Sequence, residues 1–200
     1  MGTLSTLSGA IKRGSAGVDP RTMLELGAGD GTMMLRLAQK RAKAWPAVKV
    51  TMLDRHEVVS SDTLDAIRAT GWKPTVVAVD VFDWLAIADE SRWNVIFANL
   101  FIHHFEHDEI ATLLGDIALR CSTFVCCEPR RAMLALVASR MTGLIGAGPV
   151  TRSDAVTSVH AGFSGKELSH LWPKRKEWVL LEYPAGLFTH CFIASRKRRG

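Results

Sequence analysis

Short apolar runs alternate along the chain with stretches of helical spacing. RTMLELG (21–27) is a short apolar run that stops at glycine and reads as a buried strand. From Gly31 to about Trp45, the residues Met34, Leu35, Leu37 and Ala38 give a helix its apolar side, and Pro46 marks its end. VKVTMLD (48–54) predicts a second strand, and SDTLDAIRATG (61–71) predicts a helix stopped by Gly71. TVVAVDVFD (75–83) reads as a third strand, and a fourth begins WNVIFANLFIHH (93–104). Ile110, Leu113, Leu114, Ile117 and Ala118 then repeat at i, i+3, i+4, i+7 and i+8, predicting a helix from about Asp108. Asp108 and Glu109 suit its positive N-terminal end. STFVCCEP (122–129) is a fifth strand.

After residue 131 the alternation breaks. AMLALVASRMTGLIGAG (132–148) reads as an apolar helix interrupted by Arg140, and GKELSHLW (165–172) as a short helix. The segments 177–186 and 187–197 look like a closing antiparallel hairpin. Strands alternating with helices imply crossover connections and a mostly parallel sheet covered on both faces. The expected fold is therefore α/β, Rossmann-like, in a single domain over 1–200. It has an N-terminal segment at 1–18, and a region at 130–165 to which the resemblance given below assigns the covering of the substrate.

Composition narrows the class. A chain of 200 residues fits one domain with a sizeable core. It has no apolar run near the roughly 18 residues that span a bilayer. The N-terminus has no signal-peptide pattern, so a cytoplasmic location is expected. Cys121, Cys126, Cys127 and Cys191 fit no zinc spacing, and no metal is expected; they read as buried, reduced thiols. The net charge is +5, with much of the excess in Arg196–Arg199. A solvated tail explains that excess, and no nucleic-acid-binding pattern accompanies it.

The stretch MLELGAGDGT (23–32) carries the first chemistry. Its glycines, Gly27, Gly29 and Gly31, place the third one position early for a dinucleotide loop, where Thr32 stands instead. Glu25 and Asp30 would oppose a pyrophosphate at close range and favour a cation. S-adenosylmethionine has no phosphate and carries a sulfonium and an ammonium. E-x-G-x-G-x-G at the end of a first strand resembles motif I of the class I S-adenosylmethionine-dependent methyltransferases.

That resemblance implies a seven-stranded sheet with an antiparallel C-terminal hairpin. It assigns cofactor contacts to Glu25, Gly27, Ala28, Gly29, Asp54, Arg55, Asp80, Val81, Asn99 and Leu100. Asp54, at the end of the second strand, is placed to accept the ribose hydroxyls, and Asp80 with Val81 to meet the adenine. Taken singly, Asp54, Asp80 and Asn99 also fit turn roles.

NLFIHHFEHDE (99–109) offers His103 and His104 as general bases, while His107 reads as solvated. CCEPRRA (126–132) brings Glu128 to the end of the fifth strand, beside Arg130 and Arg131. An arginine there offers a planar fork to an anionic or enolic oxygen, or pairs with Glu128. The polar stretch 150–168 reads as a binding loop, with Arg152, Asp154 and His160 as candidate contacts. The apolar helix 132–145 reads as core, as a roof over a lipophilic acceptor, or as a face for peripheral membrane contact.

EPRR, the VTRSDAV–AGF–ELS–LWP run and the GLFTHCFIA ending are similar to small bacterial methyltransferases associated with type III polyketide synthases. This resemblance implies a small aromatic or polyketide-derived acceptor, methylated on a phenolic oxygen. The alternatives are C-methylation of a quinone-like lipid, cofactor binding without catalysis, and a nucleotide-dependent oxidoreductase. The sequence leaves the oligomeric state open.

Overall fold

In the computed structural model, residues 2–87, 92–131 and 162–197 are described. The elements used below lie among the described residues. They are α1 (Thr3–Gly14), β1 (Thr22–Leu26), α2 (Thr32–Arg41), β2 (Lys49–Asp54), α3 (Ser61–Ala69), β3 (Lys73–Ala78), α4 (Val81–Ala86), β4 (Trp93–Asn99), α5 (His107–Arg120), β5 (Cys121–Pro129), α6 (Glu167–Leu171), β6 (Trp178–Pro184) and β7 (Thr189–Arg196), with a 3-10 turn at Ile102–His104.

The strands form one sheet in the order β3-β2-β1-β4-β5-β7-β6. Strands β1 to β5 run parallel, and β7 lies antiparallel to both β5 and β6. The expected seven-stranded sheet with its closing hairpin is therefore present. The central strand β4 buries Val95, Ile96, Phe97 and Ala98 in succession, as a strand covered on both faces must. One face packs under α4, α5 and α6, the other under α1, α2 and α3. Cys126 and Cys127 point to opposite faces, and all four cysteines are free and buried.

Three local readings change. The third strand stops at Ala78, and Val81–Ala86 is a helix whose N-cap is Asp80, its carboxylate accepting from the Phe82 N–H. The apolar run VVAVDVFDW continues across the boundary, so only the capping aspartate marks it. Helix α2 ends at Arg41 rather than near Trp45. The N-terminal segment is helical: Leu7, Ala10, Ile11 and Gly14 of α1 are buried against the sheet. Gly14 permits that approach, since a Cβ there would lie 2.6 Å from Thr123 Cγ2. The serines and glycines of α1 had blurred its helical period.

Helix α6 is short and held by its surroundings. Trp172, just after it, stacks on Phe124 of β5 at 5.6 Å and meets Trp178 of β6 edge-on at 5.0 Å. Glu182 of β6 accepts from the N–H groups of Leu168 and Ser169 and from His190 Nε2 at 2.8 Å, with both side chains of that pair buried.

Candidate active site

The carboxyl ends of β1, β2 and β4 open onto a cavity of about 530 Å³. In an open α/β sheet this is the edge where ligands bind. The glycine loop forms one wall. Gly27 has φ +67° and lies against Phe101, whose ring carbon Cδ2 would be 2.1 Å from an added Cβ. Gly29 and Gly31 are also left-handed, at φ +53° and +76°.

The two acids of the glycine stretch have different fates. Asp30 is exposed and accepts from the Thr32 N–H, which holds its carboxyl below the usual range; it belongs to the turn. Glu25 is buried in β1, and among the described residues its Oε2 has no hydrogen-bond partner. Burial pushes its carboxyl well above the usual range, and the nearby Asp30 and Asp54 add to the shift. Asn99 Oδ1, at the end of β4, is likewise buried without a partner. Asn99 Oδ1 is an acceptor, and Glu25 Oε2 becomes one when the carboxyl is ionised, so a cationic donor would complete both.

Asp54 lies in the cavity wall and already accepts from the Gly29 N–H on Oδ2, at 2.9 Å, and from the His56 N–H on Oδ1, at 3.0 Å. Each oxygen keeps a second lone-pair direction. Arg55, Asp80, Val81 and Leu100 line the same cavity, whereas Ala28 is buried behind it, with its N–H on the carbonyl of Leu53. Leu100 adopts φ +55°, a strained conformation for leucine, where the chain turns out of β4. His56, Val79, Phe101 and Phe105 complete the wall, and the sequence reading missed them. Phe101 and Phe105 flank the histidine pair, which was the available signal.

A second cavity, of about 480 Å³, shares Phe105 with the first. The neighbouring histidines divide between them: His103 lines the second cavity and His104 the first, with ring centroids 4.1 Å apart. Burial, and then His103, lower the pKa of His104. His103 Nδ1 lies 2.7 Å from Glu128 Oε2, and Glu128 Oε1 accepts from the N–H groups of Phe101 and Ile102. Glu128 is fully buried at the end of β5. It pairs with a histidine, not with an arginine.

Arg131 forms a fork on Glu167, with Nη1–Oε1 at 2.7 Å and Nη2–Oε2 at 2.8 Å, and also donates to the Gly162 carbonyl. These groups, with His170, Phe163, Ile110 and Leu171, form much of the second cavity. Glu167, His170 and Phe163 were missed; the ties of Glu167 and Phe163 to Arg131 cross some thirty residues of chain. His107 is exposed at the start of α5. Arg152, Asp154, His160 and the helix expected at 132–145 lie outside the described residues.

No protein-family model and no curated protein matches the sequence. Solved structures do resemble it. Magnesium protoporphyrin IX methyltransferase from Synechocystis, with S-adenosylhomocysteine bound, superposes with a TM-score of 0.62 at 11% identity, covering 97% of this chain and 83% of that one. The methyltransferase domain of a bacterial Hen1 gives 0.62 at 13% identity, covering 98% and 97%. An O-methyltransferase family protein from Burkholderia thailandensis gives 0.56 at 15% identity; the match covers 96% of this chain but 55% of that one. The chain has the fold of these methyltransferases. At such identities the likeness extends to the sheet and its helices, and the chemistry must be argued from the cavities. Among the described residues, no helix is long and apolar enough to cross a membrane.

Proposed function

We propose that the protein transfers a methyl group from S-adenosylmethionine to a phenolic oxygen of a small aromatic or polyketide-derived acceptor, with His103 as the base. The observation that carries this reading is the division of His103 and His104 between two adjoining cavities, with only His103 backed by a buried carboxylate.

The first cavity suits the cofactor. Glu25 Oε2 and Asn99 Oδ1 do not line it but stand at the strand ends just before its lining residues Gly27 and Leu100, buried and without a partner among the described residues; a cationic donor such as the cofactor's ammonium suits them, and a phosphate would be repelled. Asp54 accepts a ribose hydroxyl through its remaining lone pairs, and the Asp80–Val81 corner holds the adenine. The neighbouring folds support the same choice, since one was solved with S-adenosylhomocysteine. When bound, the cofactor supplies a methyl group on a positively charged sulfur.

The second cavity suits the acceptor. Phe105, Ile110, Phe163 and Leu171 give it apolar walls for an aromatic body. Glu128 fixes a proton on His103 Nδ1, which leaves Nε2 as the basic nitrogen. Nε2 takes the phenolic proton as the oxygen gains its methyl group. The Glu128 carboxylate steadies the imidazolium that results, and Phe105, at the junction, excludes water.

The test is calorimetry with S-adenosylhomocysteine, followed by assay of a phenol panel with S-adenosylmethionine. We expect saturable cofactor binding, and turnover that is lost in His103→Ala while binding persists. Heat from NADH and none from S-adenosylhomocysteine would refute the reading.

A further inference from the structure

Helix α6 has five residues, too few to hold itself in place, yet it supplies one wall of the second cavity. Glu167, His170 and Leu171 stand at i, i+3 and i+4 and line that cavity, while Leu168 is fully buried in the core. Whatever fixes the rotation of α6 about its axis therefore fixes the shape of this wall.

Trp172 anchors the chain just beyond the last residue of α6. Two carboxylates hold the helix itself. The Arg131–Glu167 fork is 38% and 36% exposed on its two sides, so water and salt weaken it. Glu182 of β6 makes the buried tie. Its Oε1 accepts from the Leu168 N–H at 3.1 Å, and its Oε2 from the Ser169 N–H at 2.8 Å. Bonds from two successive backbone groups to one ionised carboxylate fix both the height and the rotation of the helix.

His190 of β7 holds that carboxylate. Its Nε2 lies 2.8 Å from Glu182 Oε1, with the two side chains 2% and 0% exposed. A carboxylate buried to this degree persists only with such partners. Against burial, which would raise it, the bonds from His190, Ser169 and Leu168 hold the Glu182 carboxyl below its usual range. Sheet register brings the two together. Glu182 lies opposite Phe192, and His190 stands two residues before Phe192 on the same face. His190 is also the cross-strand partner of Glu128, which orients the ring of His103. Two imidazole–carboxylate pairs thus share one face of the sheet, one ending at His103 and the other at α6.

We propose that Glu182 and His190 are positioning residues for the acceptor: together they fix α6 as the wall against which the acceptor is held. The proposal rests on the reading of the second cavity as the acceptor site. Neither residue lines that cavity, so both act through α6.

The experiment titrates thymol, a small lipophilic phenol, into the full chain saturated with S-adenosylhomocysteine, and follows amide exchange at Leu168 and Ser169 by NMR. The variants are His190→Leu, which removes the donor to Glu182, and His190→Gln, whose amide N–H replaces it. In His190→Leu, thymol should bind about tenfold more weakly or worse, and both amides should exchange faster. S-adenosylhomocysteine affinity should stay within about twofold, which reports that the variant folds. His190→Gln should recover most of the thymol affinity and the slow exchange. The proposal is overturned if His190→Leu leaves thymol affinity or the two amides unchanged, if it weakens both ligands alike, or if His190→Gln restores nothing. A parent complex that takes no thymol would refute the acceptor-site reading itself, a failure visible before any variant is made.

Discussion

Glu128 Oε2 lies 2.7 Å from His103 Nδ1, and the same carboxylate accepts the N–H groups of Phe101 and Ile102 at 3.2 and 3.0 Å. One buried group thus builds the turn after β4 and orients the ring that the turn carries. Replacing it with glutamine separates the two tasks. Glu128→Gln keeps an acceptor for the turn but presents an amide to the ring, which destabilises the imidazolium and favours the wrong tautomer. Turnover should fall by about 10²–10⁴-fold, the usual worth of a general base, with S-adenosylhomocysteine binding retained. Glu128→Ala should instead lower stability by at least about 2 kcal/mol, because buried amides lose their acceptor. Kinetics, calorimetry and urea unfolding on both variants check this.

His104 should behave differently from its neighbour. It lines the first cavity, the one proposed for the cofactor, so His104→Gln should weaken S-adenosylhomocysteine more than it slows the chemical step. Its lowered pKa also sets a pH dependence. The unfolded ring takes up a proton near its ordinary value of 6.5, while the folded ring stays neutral to lower pH. Its contribution is therefore present above that value and lost as pH falls through the folded pKa. Urea midpoints followed from neutral to mildly acidic pH should fall less steeply in His104→Gln than in the parent.

Much of this was legible in the chain. The short apolar runs LELG and VTMLD and the 3.6 period of the Ile110–Ala118 helix identified the sheet and its covering, and the glycine loop lies at the carboxyl edge where the first cavity opens. What escaped was whatever depended on distant partners. Asp80 caps a helix because α4 folds onto the sheet, which no local pattern announces. Glu128 stands beside two arginines in sequence, yet β4 and β5 being parallel neighbours brings it to His103. Arg131 meets Glu167 only because Phe163 returns to pair with residues 129–131.

The glycine loop offers a paired test. At Gly27 an added methyl group meets Phe101 at 2.1 Å, whereas at Gly29 it meets nothing within 4 Å. Both residues have positive φ, which costs an alanine about 1 kcal/mol. Gly29→Ala should lose roughly that much stability. Gly27→Ala should lose more and displace Phe101 from the cavity wall, so that cofactor binding fails as well. Thermal melts with and without S-adenosylhomocysteine distinguish the two.

The Arg131–Glu167 fork closes one side of the second cavity. A lysine has no fork and cannot reach both oxygens and the Gly162 carbonyl together. Arg131→Lys should therefore raise KM for the acceptor several-fold while altering kcat less, and leave cofactor affinity unchanged. An equal loss in kcat would mean that Arg131 acts in the transition state.

Glu25 makes the cofactor assignment measurable through protons. Its carboxyl is buried, Oε2 has no partner among the described residues, and burial together with Asp30 and Asp54 raises its pKa. The fold therefore favours the neutral acid. That contribution is full below the ordinary value of 4.5 and is lost as pH rises through the elevated one. A cation seated beside Oε2 reverses the preference by stabilising the carboxylate, so binding must expel the proton. Calorimetric titration of S-adenosylhomocysteine at mildly acidic pH, in two buffers of different ionisation enthalpy, counts that proton directly. The observed heat should depend on the buffer in the parent protein and become nearly independent of it in Glu25→Gln. A parent protein showing no buffer dependence across the acidic range would mean that the ligand's ammonium does not sit against this carboxylate.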